Sequence, residues 1–313
     1  MKPVLEAQSG LAKARNRRRF RETVTGWLMA SPWIIGFLLF TLIPIIMSFV
    51  LSFMDWNLLS PPKFIGLDNY KKMLVQEPQV WKSVWITTYY SIVSVPLHLG
   101  LGFLLALLLN RNIKGLSFWR SIYFLPTVIS GVAVSLLWQW LFSKDFGLFN
   151  YISKSVLHMG AVNWLGDEHT VIPSLIFMSL WTVGGSMITN LAGLQNIPTA
   201  LYESADVDGA GRIKQMIHIT IPMMTPIIFL NLVTGLIQSF QTFTNAYVMT
   251  GGGPNKASLF YMLYLYTTAF EDFKMGYASS LAWMLFLYIL ILTLIVFISG
   301  RYWVHYEGGD GHK

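Results

Sequence analysis

Six stretches of this 313-residue chain contain no Asp, Glu, Lys or Arg: residues 23–54, 83–110, 121–143, 169–202, 215–255 and 275–300. A helix needs about 20 apolar residues to cross the hydrocarbon core of a bilayer. Each run is long enough, and the longer ones must also carry loop or interfacial residues. Backbone polar groups in hydrocarbon have to find partners within the protein, which leaves helices or a closed barrel. The runs lack the strict alternation of barrel strands. The expected fold is therefore all-α and polytopic, with six transmembrane helices near residues 27–53, 83–109, 121–142, 171–194, 225–249 and 276–299.

Charge supports lipid as the main solvent and suggests a topology. Only 12% of residues are charged, where soluble domains run near about 25%. With an even number of crossings both termini share a side. The basic head, residues 1–25 with Arg15, Arg17, Arg18, Arg19 and Arg21, assigns that side to the cytoplasm by the positive-inside rule. The tail, 301–313, then lies inside too, and 14 of the 22 Lys and Arg residues fall inside against 8 outside. The net charge of +7 is concentrated beside the first helix, where anionic lipid is a nearer partner than nucleic acid. That helix is twice the length of a signal-peptide core and no small-residue cleavage site follows it, so it reads as an uncleaved span. The absence of cysteine excludes disulfides and thiolate metal sites. No metal site is expected.

The most informative segment is the inner loop 195–224, too charged for lipid: Pro198, Glu203, Asp206, Asp208, Gly209, Gly211, Arg212, Lys214 and Pro222. Helix formers around Glu203 and Ala205 suit a short helix, and Gly209 suits a reversal. Met216, Ile217 and Ile221 offer an apolar face before Pro222 ends the segment. The expected unit is a helix, a turn and a helix that docks in a groove.

Glu203, Ala205, Asp208, Gly209, Ala210, Ile219 and Pro222 together resemble the "EAA" loop of binding-protein-dependent ABC importer permeases, with Ser204 and Ile221 as small departures. Further phrases resemble the sugar-permease branch, of the maltose/oligosaccharide and glycerol-phosphate type. They are Phe64-x-Gly66-Leu67-x-Asn69-Tyr70, Leu194-Gln195-x-Ile197-Pro198, Gly252-Gly253-Pro254 and Tyr264-Leu265-Tyr266-x-x-Ala269-Phe270. The resemblance implies a type I ABC importer permease fold over residues 26–300, with 195–224 as the loop that couples to a cytoplasmic ATPase. It also implies partners: a second, homologous permease subunit, two ATPase subunits that bind the ATP and Mg, an extracytoplasmic solute-binding protein and a sugar substrate. The chain itself has no phosphate-binding Gly-x-x-x-x-Gly-Lys-Ser/Thr loop and no protease or hydrolase motif, so no catalytic residue and no cofactor of its own is expected.

On the fifth predicted helix Asn231, Thr234, Gln238, Gln241 and Asn245 recur at helical spacing, a polar stripe in a membrane helix. Amides and hydroxyls suit sugar hydroxyls, and Phe240, Phe243 and Tyr247 could stack on sugar faces. The same groups could equally hold helices together. Maltose-type permeases line their sugar site from the helices before Gly-Gly-Pro and before the EAA loop. That resemblance implies Gln238, Gln241, Thr244 and Asn245, with Thr182, Gly184, Gly185 and Ser186, as substrate-pathway residues. His98 and His169 are left unassigned. Two alternatives stay open: a phosphorylated polyol as cargo, which would need a cationic site, and a secondary transporter, which would usually bury ionisable groups in its spans.

Overall fold

The computed structural model of the chain describes residues 2–111, 114–156, 158 and 160–305, the first eighteen of these by backbone only. The side chains Arg15, Arg17, Arg18 and Arg19 of the basic head and the tail beyond residue 305 lie outside the described residues. A helix from Lys2 runs without a break past residue 25.

Among the described residues, four helices are each long and apolar enough to cross a membrane: Phe20–Leu51, Pro78–Leu109, Arg212–Phe240 and Met275–Trp303. Two further apolar stretches are bent. Leu116–Val128 and Gly131–Leu141 meet at 98°, and Val171–Thr182 and Gly184–Asn196 at 46°. The chain is thus a multi-pass helical membrane protein, with four to six spans among the described residues, depending on whether each bent pair counts as one. The all-α expectation holds apart from a two-residue antiparallel ladder, Met54–Asp55 with Lys63–Phe64.

Local chemistry explains the breaks. Pro126 lacks the N–H that would bond the preceding turn, and three residues later Ile129 is extended (φ −74°, ψ 140°), so the predicted helix over 121–142 splits there. In the fourth stretch, Ser179 Oγ and Thr182 Oγ1 donate to Ile176 O (2.6 Å) and Ser179 O (2.8 Å). These bonds compete with the backbone ladder just before Gly184-Gly185.

The fifth predicted helix is displaced. Pro222 does not end the elbow: the helix that begins at Arg212 continues to Phe240. The reason is a π turn, Met216–Thr220, in which Ile221 N–H reaches back five residues to Met216 O. The wider turn gives the ring of Pro222 room and asks for no donor from it. The same device precedes Pro44, where Ile43 N–H bonds Leu38 O. At its far end the helix stops at Phe240 instead of reaching 249. Its last turn tightens into three-residue bonds, Gln241 N–H to Gln238 O and Thr242 N–H to Ser239 O, and a separate helix resumes at Thr244–Thr250.

Packing centres on the 78–109 helix, which packs against both 184–196 and 212–240, and those two also meet each other. Close approach is set by Gly102, where a Cβ would strike Ser186, and by Gly193, where one would strike Ile227 and Met224. One core gathers Trp138, Phe142, Phe240, Phe260, Tyr261 and Leu281; a smaller one near the elbow gathers Ala106, Leu191, Leu194, Ile197 and Met224.

The Phe64-x-Gly66-Leu67-x-Asn69-Tyr70 phrase has a structural role. Gly66 takes a left-handed turn (φ +60°), and the buried Asn69 donates through Nδ2 to Ser52 O and Met54 O, both at 2.9 Å. Tyr70 OH reaches Ser52 Oγ at 2.8 Å. The loop therefore satisfies the carbonyls at the end of the first long helix. Asn69→Ala is expected to leave both carbonyls unpaired and cost roughly 1–3 kcal/mol, seen as a lowered midpoint of thermal unfolding in detergent.

Candidate functional site

A cavity of about 720 Å³ opens between the 78–109, 184–196 and 212–240 helices and the bend at residue 130. Its size is in the range of small-molecule sites. Thr182, Gly185, Ser186, Gln238 and Asn245 line it, together with Asn231 and Thr234 of the polar stripe. Among the described residues that line it there is no Lys, Arg, Asp or Glu.

Three of the predicted pathway residues do not line it. Gly184 is packed against the backbone of Tyr123 and Phe124, where a Cβ could not fit. Thr244 lies against Gly131, and Gln241 is exposed in the break between two helices. The stripe is therefore not one continuous face, because the helix that would carry all five residues ends at Phe240. The aromatic expectation shifts as well. Phe240 is 2% exposed and edge-on to Tyr288, while Phe243 and Tyr247 stack on each other at 5.2 Å; none of the three lines the cavity.

The polar walls are held in place by cross-helix bonds. Asn231 Nδ2 donates to Asn190 Oδ1 at 3.1 Å, and Ser135 Oγ donates to Asn245 Oδ1 at 3.1 Å. Each bond orients its amide and leaves the rest of it for the cavity or for water. Gly185 has open space where a Cβ would project.

Sequence reasoning missed the contribution of the 78–109 helix. Tyr90, Ser94 and His98 all line the cavity. Their spacing of four places them on one helical face, a signal that was available and that a lone histidine does not carry.

The elbow lies between the 184–196 and 212–240 helices. Ile197 is extended, as the residue before a proline should be, and Pro198 caps the helix Thr199–Val207. That helix ends in a Schellman motif: Ala210 N–H bonds Ala205 O at 2.9 Å and Gly209 N–H bonds Asp206 O at 3.0 Å, with Gly209 left-handed at φ +72°. Gln215 Nε2 closes the turn on Asp206 Oδ1 and on Ala210 O (3.0 Å). Inward, Ile219 and Tyr202 pack on the smaller core, and Tyr202 OH meets Thr220 Oγ1 at 2.9 Å. Outward, Glu203 and Asp208 are exposed, and so are the apolar Val207 (89%) and Ile213 (75%). Ala205 and Ala210 are half-buried, and Pro222 lies inside the continuing helix rather than at a stop.

Residues 98–304 match the family model described as binding-protein-dependent transport system inner membrane component. The chain is 42% identical over 302 residues to the "Probable ABC transporter permease protein YesP" of Bacillus subtilis (strain 168), covering 96% of this chain and 97% of that one. It is 31% identical over 292 residues to the trehalose/maltose transport system permease protein MalF of Thermococcus litoralis, covering 92% and 97% respectively. Among solved structures it resembles a chain of a bacterial ABC transporter involved in the import of the acidic polysaccharide alginate. There the TM-score is 0.79 at 26% identity, over 91% of this chain and 98% of that one.

Proposed function

Because the chain belongs to the family of binding-protein-dependent transport system inner membrane components, we propose that its polar cavity is one half of the passage by which an ATP-driven importer admits an oligosaccharide. The chain is the transmembrane permease subunit of an ABC carbohydrate importer, a translocation component that is not itself an enzyme. The observation that carries the substrate reading is the cavity: about 720 Å³, walled by amides and hydroxyls. A phosphorylated polyol is disfavoured because no Lys or Arg is among the described lining residues.

In this reading each bent pair is one crossing, which makes six, with both termini, the head 1–25 and the tail 301–313 in the cytoplasm. The elbow within 195–224 seats in a cleft of an ATPase subunit. Glu203 and Asp208 provide charged contacts, Val207 and Ile213 the apolar ones, and Ala205, Gly209 and Ala210 the compact turn. Ile219 and Pro222 tie that turn to the passage. An exposed valine and isoleucine beside two carboxylates are what a docking surface needs and a merely solvated loop does not. A second permease subunit, two ATPase subunits and an external solute-binding protein complete the importer. The most apolar part of the 20–51 helix buries none of its residues against this chain, which leaves that face for lipid and the second permease. ATP closing the ATPase pair then shifts the passage between inward- and outward-facing states.

The test is uptake by the complete importer in proteoliposomes loaded with ATP, offered labelled oligosaccharides with their binding protein. Saccharide-dependent ATP hydrolysis with accumulation inside is expected. Stimulation by a phosphorylated polyol in place of every saccharide would overturn the cargo assignment.

A further inference from the structure

The short helix Leu148–Ser155, which follows the helix Gly131–Leu141, is amphipathic in the reverse of the usual sense. Its fully buried residues are polar: Asn150 is 1% exposed and Ser153 6%. Its exposed face is apolar. Leu148, Tyr151 and Ile152 share that face at a spacing of three and four, and Phe146 and Val156 are exposed just beyond its two ends.

The inward side is fixed by hydrogen bonds. Asn150 Nδ2 shares its two protons among Ser143 O and Lys144 O, both at 3.2 Å, and Val162 O at 2.9 Å. Its Oδ1 accepts from Val162 N–H at 2.9 Å and from Trp164 Nε1 at 3.2 Å. Ser153 Oγ donates to Gly160 O at 3.3 Å. Gly147 packs on the carbonyls of Leu141 and Ser143, where a Cβ would not fit. The helix cannot roll to hide its apolar side without unpairing these groups, which would cost more than it gains.

The position of the helix decides what covers it. Phe149 stacks on Phe142 at 5.1 Å and on Trp138 at 5.8 Å, and meets Phe177 edge-on at 5.8 Å. Trp138 is in the last turn of Gly131–Leu141, and Phe177 lies about 9 Å along its helix from Val171. The short helix therefore lies against the flanks of two apolar stretches, at their end away from the elbow, and those stretches themselves expose Leu137, Trp140 and Phe177. Lys144 precedes the helix and Lys154 is in its last turn; both are exposed and have no ion-pair partner among the described residues.

We propose that Leu148–Ser155 is an interfacial anchor, its apolar face embedded between the acyl chains and headgroups of the leaflet opposite the elbow, with Lys144 and Lys154 reaching the lipid phosphates. An amphipathic helix lying in this way sinks about 5–10 Å into the boundary, which matches the depth of Phe177. Tyrosine suits that level. A lysine stem can run over apolar surface while its ammonium stays among the phosphates. Two unpaired cations beside the apolar face are complementary to a phosphate layer, which favours lipid over a protein partner. The anchor holds one end of Gly131–Leu141, whose other end lines the cavity at Gly131 and Val134.

The chain has no cysteine, so Tyr151→Cys, Ile152→Cys and Lys154→Cys can each carry a single nitroxide. Each variant is assembled into the complete, otherwise cysteine-free importer in vesicles of phosphatidylcholine and phosphatidylglycerol. Oxygen, which concentrates in lipid, and a water-soluble nickel chelate are the two probes. At positions 151 and 152 oxygen is expected to relax the label while the effect of the chelate is lost. At position 154, off the apolar face, the chelate should act. Chelate access at 151 and 152 would put the face in water and overturn the proposal. Shielding of 151 and 152 from both probes would show that protein covers the face, and would overturn it equally.

Discussion

Gly185→Trp is expected to abolish uptake while the chain folds and inserts as before, whereas Gly184→Ala, one residue away, is expected to damage the fold. The two neighbours face opposite surroundings. A Cβ at Gly185 meets nothing within 4 Å and Gly185 lines the cavity, so an indole there is expected to fill the proposed passage. A Cβ at Gly184 meets the backbone of Tyr123 and Phe124, which cannot move as a side-chain tip would. Overpacking of this kind costs about 1–3 kcal/mol. Uptake in proteoliposomes and thermal unfolding in detergent separate the outcomes. If Gly185→Trp leaves uptake within about twofold of wild type, the cavity is not the passage.

The elbow carries the second large effect. Gly209 occupies φ +72°, and its N–H closes the Schellman turn on Asp206 O. Proline fixes φ near about −65° and removes that donor, at a cost of about 3 kcal/mol or more in a conformation it cannot adopt. At about 1.4 kcal/mol per factor of ten, the docked form of the elbow falls by roughly 100-fold, and ATP-driven uptake with it. A Cβ added at Gly209 would meet nothing within 4 Å, so the rest of the bundle should be unaffected and the membrane level normal. Glu203→Lys reaches the same end by another route, since an exposed residue can be reversed in charge without strain. Co-purification of the ATPase with each variant is the direct readout. Full recovery of the ATPase alongside Gly209→Pro would remove the elbow from the coupling surface.

Much of this architecture is legible from the charge-free runs, because a bilayer imposes length and apolarity so strictly that the helices can be placed from composition. The elbow is legible for a different reason: a left-handed turn has few sequence solutions, and Gly209 is one of them. What escapes is where a helix yields. Pro126 and Pro222 look alike in the sequence, yet the first is followed by a 98° bend and the second by eighteen further residues of unbroken helix. The difference lies in the turn upstream of Pro222, which shifts its bonding to five residues and absorbs the ring. No residue type announces that shift. The upper end of the polar stripe departs from its helical period for a related reason. The spacing of Gln241 and Asn245 continues the period of Gln238, but the last turn tightens and turns Gln241 out of the cavity. A lone histidine has many uses, so His98 becomes legible as a cavity-lining residue only together with Tyr90 and Ser94 on the same face.

The 212–240 helix that absorbs Pro222 also joins two places that would otherwise be separate. At about 1.5 Å per residue, Arg212 at the turn and Gln238 in the cavity wall are roughly 40 Å apart along one uninterrupted rod. In the proposed importer, a tilt imposed at its lower end by the ATPase would be carried along the same helix to the cavity wall. Its ladder is loosened at two places, the wide turn at 216–220 and Pro226, which has no N–H to give.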